Sequence, residues 1–363
     1  MSEVITETAA GTPAGASAGT PAPAPAPGAA PAPAPGAAPA PGAATAEPSW
    51  AERYAVPARD AYRRTLLDLA RVDPRIFCVD SDMGGLETLF GDALPEQYVN
   101  VGIAEANLLG VSAGLAHSGL LPYANTIASF AAARACEQLK VDVAGNNLPV
   151  RVVVTHAGVS AGHYGPTHHA VEDIAIVRTL PHLTVVVPCD AAEAEAAVRA
   201  TVDLPGPLYV RLGRAATPLV NDAPYDFRLG EARLLREGED VTLVATGPYP
   251  VVMALEAAEL LARQGHSARV LNMHTIKPLD TAALGRAARE TGGIVTVEDH
   301  VRVGGLGAAV CEAVAEDHHC PVRRIGVPDG YLDHVAGERE LLEYAGVHPE
   351  AIAAAALGLA RGR

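Results

Sequence analysis

From residue 57 to the C-terminus, short apolar runs alternate with alanine-rich stretches of helical length. That alternation admits few folds. A short β-branched run bounded by turn residues reads as a buried strand, and a helix between successive strands calls for a parallel sheet covered by helices. Helices are expected near 57–71, 104–117, 128–143 and 190–202, with strands at Ile76–Val79, 150–155, 184–187 and Leu208–Arg211. Thr217–Arg228, which carries Pro218, Pro224 and polar residues, reads as a linker. Strands Val241–Ala245, Ala268–Asn272, Gly293–Glu298 and Val322–Val327 then alternate with helices at Val251–Gln264, 280–290 and 306–317. The expectation is an α/β chain with two mostly parallel-sheet domains, 51–216 and 229–363, joined by 217–228.

Ahead of them, residues 1–50 are dominated by Ala, Pro and Gly, with Pro-Ala repeats at 21–27 and 31–41. Such a stretch buries too little apolar surface to offset its ordering entropy, so a disordered tail is expected. It has neither the basic start nor the apolar core of a secretory leader. A formal net charge of −15 without a basic stripe argues against nucleic acid as a partner. No apolar run reaches membrane-spanning length. Cys78, Cys136, Cys189, Cys311 and Cys320 show no Cys-x-x-Cys spacing, which argues against a zinc site or a disulfide framework and fits a cytoplasmic protein.

Two segments carry chemistry. Residues 99–107, Val-Asn-Val-Gly-Ile-Ala-Glu-Ala-Asn, hold a single carboxylate, Glu105, among apolar neighbours. On an amphipathic helix it is a solvated acid; buried, it is costly to ionise and holds a proton near neutral pH. The second segment, Thr155–Asp173, follows the strand-like Val150–Val154. Its glycines and small residues allow a loop to lie against a ligand, and Gly165-Pro166-Thr167-His168 closes that loop before Val171-Glu172-Asp173-Ile174 starts a helical pattern.

The Gly-Ile-Ala-Glu run and the Gly-Pro-Thr-His loop together resemble the pyrimidine-binding domain of transketolase, and the resemblance runs from about Arg53 to the C-terminus. It implies a two-carbon ketol transferase that uses thiamin diphosphate. It also implies that Glu105 hydrogen-bonds the coenzyme's aminopyrimidine ring and that Phe130 stacks on it. Asp82 and Met83 would lie near the thiazolium. His156 and His168 would handle substrate hydroxyls and protons, and Arg59 and Arg214 would hold a sugar phosphate. The family's diphosphate domain, with its Gly-Asp-Gly motif and downstream Asn, has no counterpart here. The chain therefore resembles the C-terminal half of a split transketolase. An N-terminal, diphosphate-binding subunit would complete it, as an α2β2 heterotetramer, and would ligate Mg2+ or Ca2+. One position departs from the family: Tyr164 stands where an acid reads the acceptor's 2-hydroxyl, which implies a changed acceptor, such as a non-sugar aldehyde or an intermediate of specialised metabolism.

Other readings compete. The β-subunit of a 2-oxoacid dehydrogenase or decarboxylase shares the domain order, although the Gly-Pro-Thr-His loop and Arg214 favour transketolase. A non-catalytic assembly or regulatory subunit would not need Glu105. Gly158-Val159-Ser160-Ala161-Gly162 matches a nucleophile elbow in letters, but a loop follows the serine where a helix is required. Val303-Gly304-Gly305-Leu306-Gly307 lacks a dinucleotide fingerprint.

Overall fold

The structure, a computed structural model, describes residues 49–360. The expected tail lies outside the described residues up to position 48. Its last two positions begin a short helix, Trp50–Tyr54, which Ser49 caps by accepting a hydrogen bond from the Glu52 amide at 3.4 Å.

The first sheet has seven strands. In chain order these are β1 (Ile76–Asp80), β2 (Tyr98–Asn100), β3 (Leu121–Ile127), β4 (Arg151–Thr155), β5 (Thr184–Val186) and β6 (Leu208–Arg211), joined by a later strand. The second sheet uses β7 (Arg233–Arg236), β8 (Val241–Ala245), β9 (Ala268–Asn272), β11 (Ile294–Val301) and β12 (Val322–Val327). The strand between β9 and β11, β10 (Thr275–Lys277), leaves its sequence neighbours and pairs antiparallel with β5. The orders are β10-β5-β6-β4-β3-β1-β2 and β12-β11-β8-β9-β7. Every other pairing is parallel except β7 with β9. The expected architecture of two mostly parallel sheets under helices is the one found.

The packing follows from composition. Every residue of β4, Arg-Val-Val-Val-Thr, is buried, as a central parallel strand requires. The helix Ala58–Ala70 buries Ala58, Ala61, Tyr62, Thr65 and Leu66, a spacing of three and four that gives one apolar face. That face packs against the helix Ala191–Ala200. The helix expected at 128–143 is instead three short pieces, Phe130–Arg134, Cys136–Gln138 and Leu139–Ala144. The outer pieces are wide turns, in which Ala135 N–H bonds Phe130 O at 3.1 Å and Gly145 N–H bonds Lys140 O at 2.7 Å.

One buried cation joins the first sheet to the second. Arg211, at the end of β6, donates to Asp173 (2.8 Å), to Asp299 on β11 (2.7 Å) and to the carbonyl of Ala170 (3.1 Å). Residues 217–228 carry no helix or strand, yet they are anchored. The Val220 and Asn221 amides donate to Asp190 Oδ2 at 2.9 and 2.8 Å, and Trp50 Nε1 donates to the Asn221 carbonyl at 2.7 Å. Among the described residues no helix is long and apolar enough to cross a membrane, and all five cysteines are free thiols.

Candidate active site

In an open parallel sheet, ligands bind beyond the carboxyl ends of the strands. The residues expected to carry the chemistry follow that edge. Asp82 and Met83 come after β1, Glu105 after β2, Phe130 after β3, His156 after β4 and Arg214 after β6, while Arg59 opens the helix that leads back to β1.

Glu105 is the first residue of the helix Glu105–His117, where the helix dipole favours a negative charge, and it is 2% exposed. Burial agrees with the sequence reading, but the carboxylate has a partner that the apolar run does not contain. Arg134 Nη1 donates to Glu105 Oε2 at 2.8 Å. The same guanidinium lies 4.6 Å from the centroid of the Phe130 ring. Arg134 is absent from the residues expected of the site. No local signal marks it, because an arginine beside Ala131, Ala132 and Ala133 reads as a solvated helix face.

From Phe130 the site continues as a chain of rings. His168 meets Phe130 edge-on at 5.2 Å, Tyr164 lies 5.0 Å from His168, and His156 lies 5.9 Å from Tyr164. The Arg214 guanidinium sits 5.5 Å from the Tyr164 ring. His156 is buried, and its Nδ1 shares a 2.8 Å hydrogen bond with Thr155 Oγ1. Burial, followed by the positive field of Arg214, Arg59, His168 and Arg63, lowers its pKa to about 4, so the ring is neutral at physiological pH. Burial likewise pulls the Arg59 pKa down, although Asp60 opposes it. The Nε atoms of Arg59 and Arg214 are buried without hydrogen-bond partners.

Asp82 and Met83 stand apart from these ring contacts. Asp82 is exposed with φ of +65°, and the Met83 amide donates to Asp80 Oδ1 at 3.1 Å. Arg63, one of the cations whose field acts on His156, donates to the Gly84 carbonyl of their turn at 3.1 Å. His156 shares the left-handed conformation, with φ of +61°. Backbone held in this region is a feature of ligand sites, where the surrounding fold over-determines it.

A cavity of about 720 Å³ opens beside Phe130 and Arg134, with Ser129, His169, Glu172 and Tyr331 on its walls. Ser129 Oγ and His169 Nε2 are buried there without partners. The loop that forms one side of the site is seated on the second half of the chain. Gly158, at φ +56°, leaves no room for a Cβ beside Asp299, and a Cβ on Gly162 would come 2.7 Å from the Ala336 carbonyl oxygen. Behind the loop, Glu298 accepts the amides of Leu306 and Gly307 at 2.6 and 2.9 Å, and burial raises its pKa to about 7. The glycine-rich stretch 303–307 thus opens the helix Leu306–Asp317. Glu338 is buried with both carboxyl oxygens unpartnered, and burial followed by the nearby Asp299 raises its pKa to about 8.

Comparison with known proteins bears on the family. The models for "Transketolase, pyrimidine binding domain" and "Transketolase, C-terminal domain" match residues 55–219 and 230–352. The chain is 44% identical over 306 residues to one subunit of the apulose-4-phosphate transketolase of Phocaeicola vulgatus, covering 83% of this chain and 97% of that one. It is 41% identical over 288 residues to the SqwH subunit of the 6-deoxy-6-sulfo-D-fructose transketolase of a Clostridium species, covering 79% and 88%. Among solved structures, a split gene transketolase described as an inactive beta4 tetramer aligns with a TM-score of 0.76 and 39% identity, over 84% of this chain and 98% of that one. A chain matched by both models over most of its length, and by full-length subunits at this identity, belongs to the transketolase family.

Proposed function

We propose that this chain is the pyrimidine-binding and C-terminal half of a split, thiamin diphosphate-dependent transketolase, with domains at 51–216 and 229–363 and a linker at 217–228. It would transfer a two-carbon ketol unit from an anionic ketose to an aldehyde. The observation that carries this reading is a buried glutamate, Glu105, bonded to the wall of a cavity that offers an aromatic face, in a chain without a diphosphate-binding motif.

The residues present fit an aminopyrimidine ring. Phe130 supplies a stacking face, the unpaired Ser129 Oγ and His169 Nε2 are free to meet polar edge atoms, and Glu105 supplies a carboxylate. When bound, thiamin diphosphate supplies the electron sink that carbon–carbon cleavage requires. The chain's own residues have three tasks. Glu105 accepts a hydrogen bond from the ring edge and holds the proton that moves there. His156, neutral through its lowered pKa, accepts hydrogen bonds or a proton from substrate hydroxyls, and His168 faces the same space through Tyr164. Arg59 and Arg214 hold an anionic substituent, for which Nε–H groups without a hydrogen-bond partner are suited, although Asp60 Oδ1 lies 3.5 Å from Arg59 Nε. The names of two relatives contain a phosphorylated and a sulfonated sugar, which supports an anionic donor.

A partner subunit with the diphosphate-binding domain would ligate Mg2+ or Ca2+ and complete the assembly as an α2β2 heterotetramer. Free thiols support a cytoplasmic setting. Co-expression with a diphosphate-domain subunit, thiamin diphosphate and Mg2+, followed by donor profiling, tests this reading. Turnover of ketose phosphates that is abolished by Glu105→Gln is expected. Pyruvate decarboxylation instead would assign the chain to the 2-oxoacid enzymes. Full activity of Glu105→Gln would assign it an assembly role. A panel of acceptors reads the effect of Tyr164, and strong preference for ribose 5-phosphate would refute a changed acceptor.

A further inference from the structure

Arg134 touches both side chains that the proposed function gives to the pyrimidine ring. Its Nη1 holds Glu105 Oε2 at 2.8 Å, and its guanidinium carbon lies 4.6 Å from the Phe130 centroid. The pair is lopsided in exposure: the Glu105 side chain is 2% exposed and that of Arg134 53%. The cation therefore comes from the open side, along the cavity wall, and neutralises an acid that has no other charge in its own stretch of sequence.

A carboxylate accepts through two oxygens. With Oε2 held by Arg134, the rotation of the carboxylate is restrained, and Oε1 remains for a ring nitrogen. The planar guanidinium suits both duties, since it can donate along its edge while its face covers an aromatic ring. Phe130 and Arg134 leave the same wide turn, so the clamp is set by one element, and Glu105 is gripped from outside its own helix.

We propose that Arg134 is a positioning residue that orients the Glu105 carboxylate toward the pyrimidine and does not itself touch the substrate. This rests on the proposed function, and the test separates the two. In the complex with a diphosphate-domain subunit and Mg2+, thiamin diphosphate affinity is measured by calorimetry, alongside kcat and the KM of a ketose phosphate. Variants are Arg134→Lys, Arg134→Ala and Glu105→Gln. Arg134→Ala is expected to weaken coenzyme binding and lower kcat, each by about 10- to 100-fold, with substrate KM within about twofold. Arg134→Lys should recover part of both, and added guanidinium ion should restore activity to Arg134→Ala, because the vacated space opens to solvent. Coenzyme affinity and kcat within about twofold of the parent in Arg134→Ala, beside an inactive Glu105→Gln, would overturn the inference and keep the function. A defect in Arg134→Ala with unchanged coenzyme affinity and no rescue by lysine or guanidinium would reduce Arg134 to a structural residue. A fully active Glu105→Gln would remove both.

Discussion

At the scale of single residues, His156 has the most measurable chemistry. It is buried beneath Tyr164 beside Arg59, Arg63, Arg214 and His168, so its folded pKa of about 4 lies below the ordinary 6.5. The unfolded chain therefore takes up this proton first as pH falls. Stability tied to His156 is complete above about pH 6.5 and drains away toward pH 4. The melting temperature should drop through that window, and His156→Asn should drop less; thermal melts at pH 7 and pH 4.5 compare them. The site residues legible in the sequence are those whose chemistry clashes with their local surroundings: a carboxylate in an apolar run, or histidines in a glycine loop. Arg134 is not legible, because an arginine among alanines looks like any solvated helix face, and only the third dimension sets it against Glu105.

At the scale of elements, the loop between β4 and the helix Asp173–Val177 matters most. It carries His156, Tyr164 and His168, has little regular structure, and is held by partners distant in sequence. Arg211 bonds Ala170 and Asp173 at the end of the loop and Asp299 across from it. Breaking a buried ion pair by removing one member strands the others, so Arg211→Met should cost about 3–5 kcal/mol, measured by urea unfolding. The longer strands and helices are legible because apolar periodicity and turn residues agree there. The helix Ala58–Ala70 falls inside the expected 57–71, and β6, β8, β9 and β12 coincide with the expected runs. The strands absent from the expectation have physical reasons. β2 and β10 are three residues long, β3 contains Pro122 and Asn125, and β7, on the sheet's edge, begins and ends with arginine. The broken helix at 130–144 is hidden for another reason: alanine-rich sequence satisfies a regular helix and a wide-turned one alike.

For the whole molecule, the catalytic reading assigns this chain half of an active site, so the pure chain should show no ketol transfer until a diphosphate-domain subunit is added. Its own two halves are less separable. β10, contributed from beyond residue 228, covers the β5 side of the first sheet. A fragment spanning 49–228 would leave that flank with unpaired backbone donors and acceptors, a template for self-association. It should aggregate where 49–363 stays monodisperse, as size-exclusion chromatography would report. A break at 217–228 is thus not a neutral one: it would separate a wall from its last course of bricks, because β10 closes a sheet whose other strands all precede the cut.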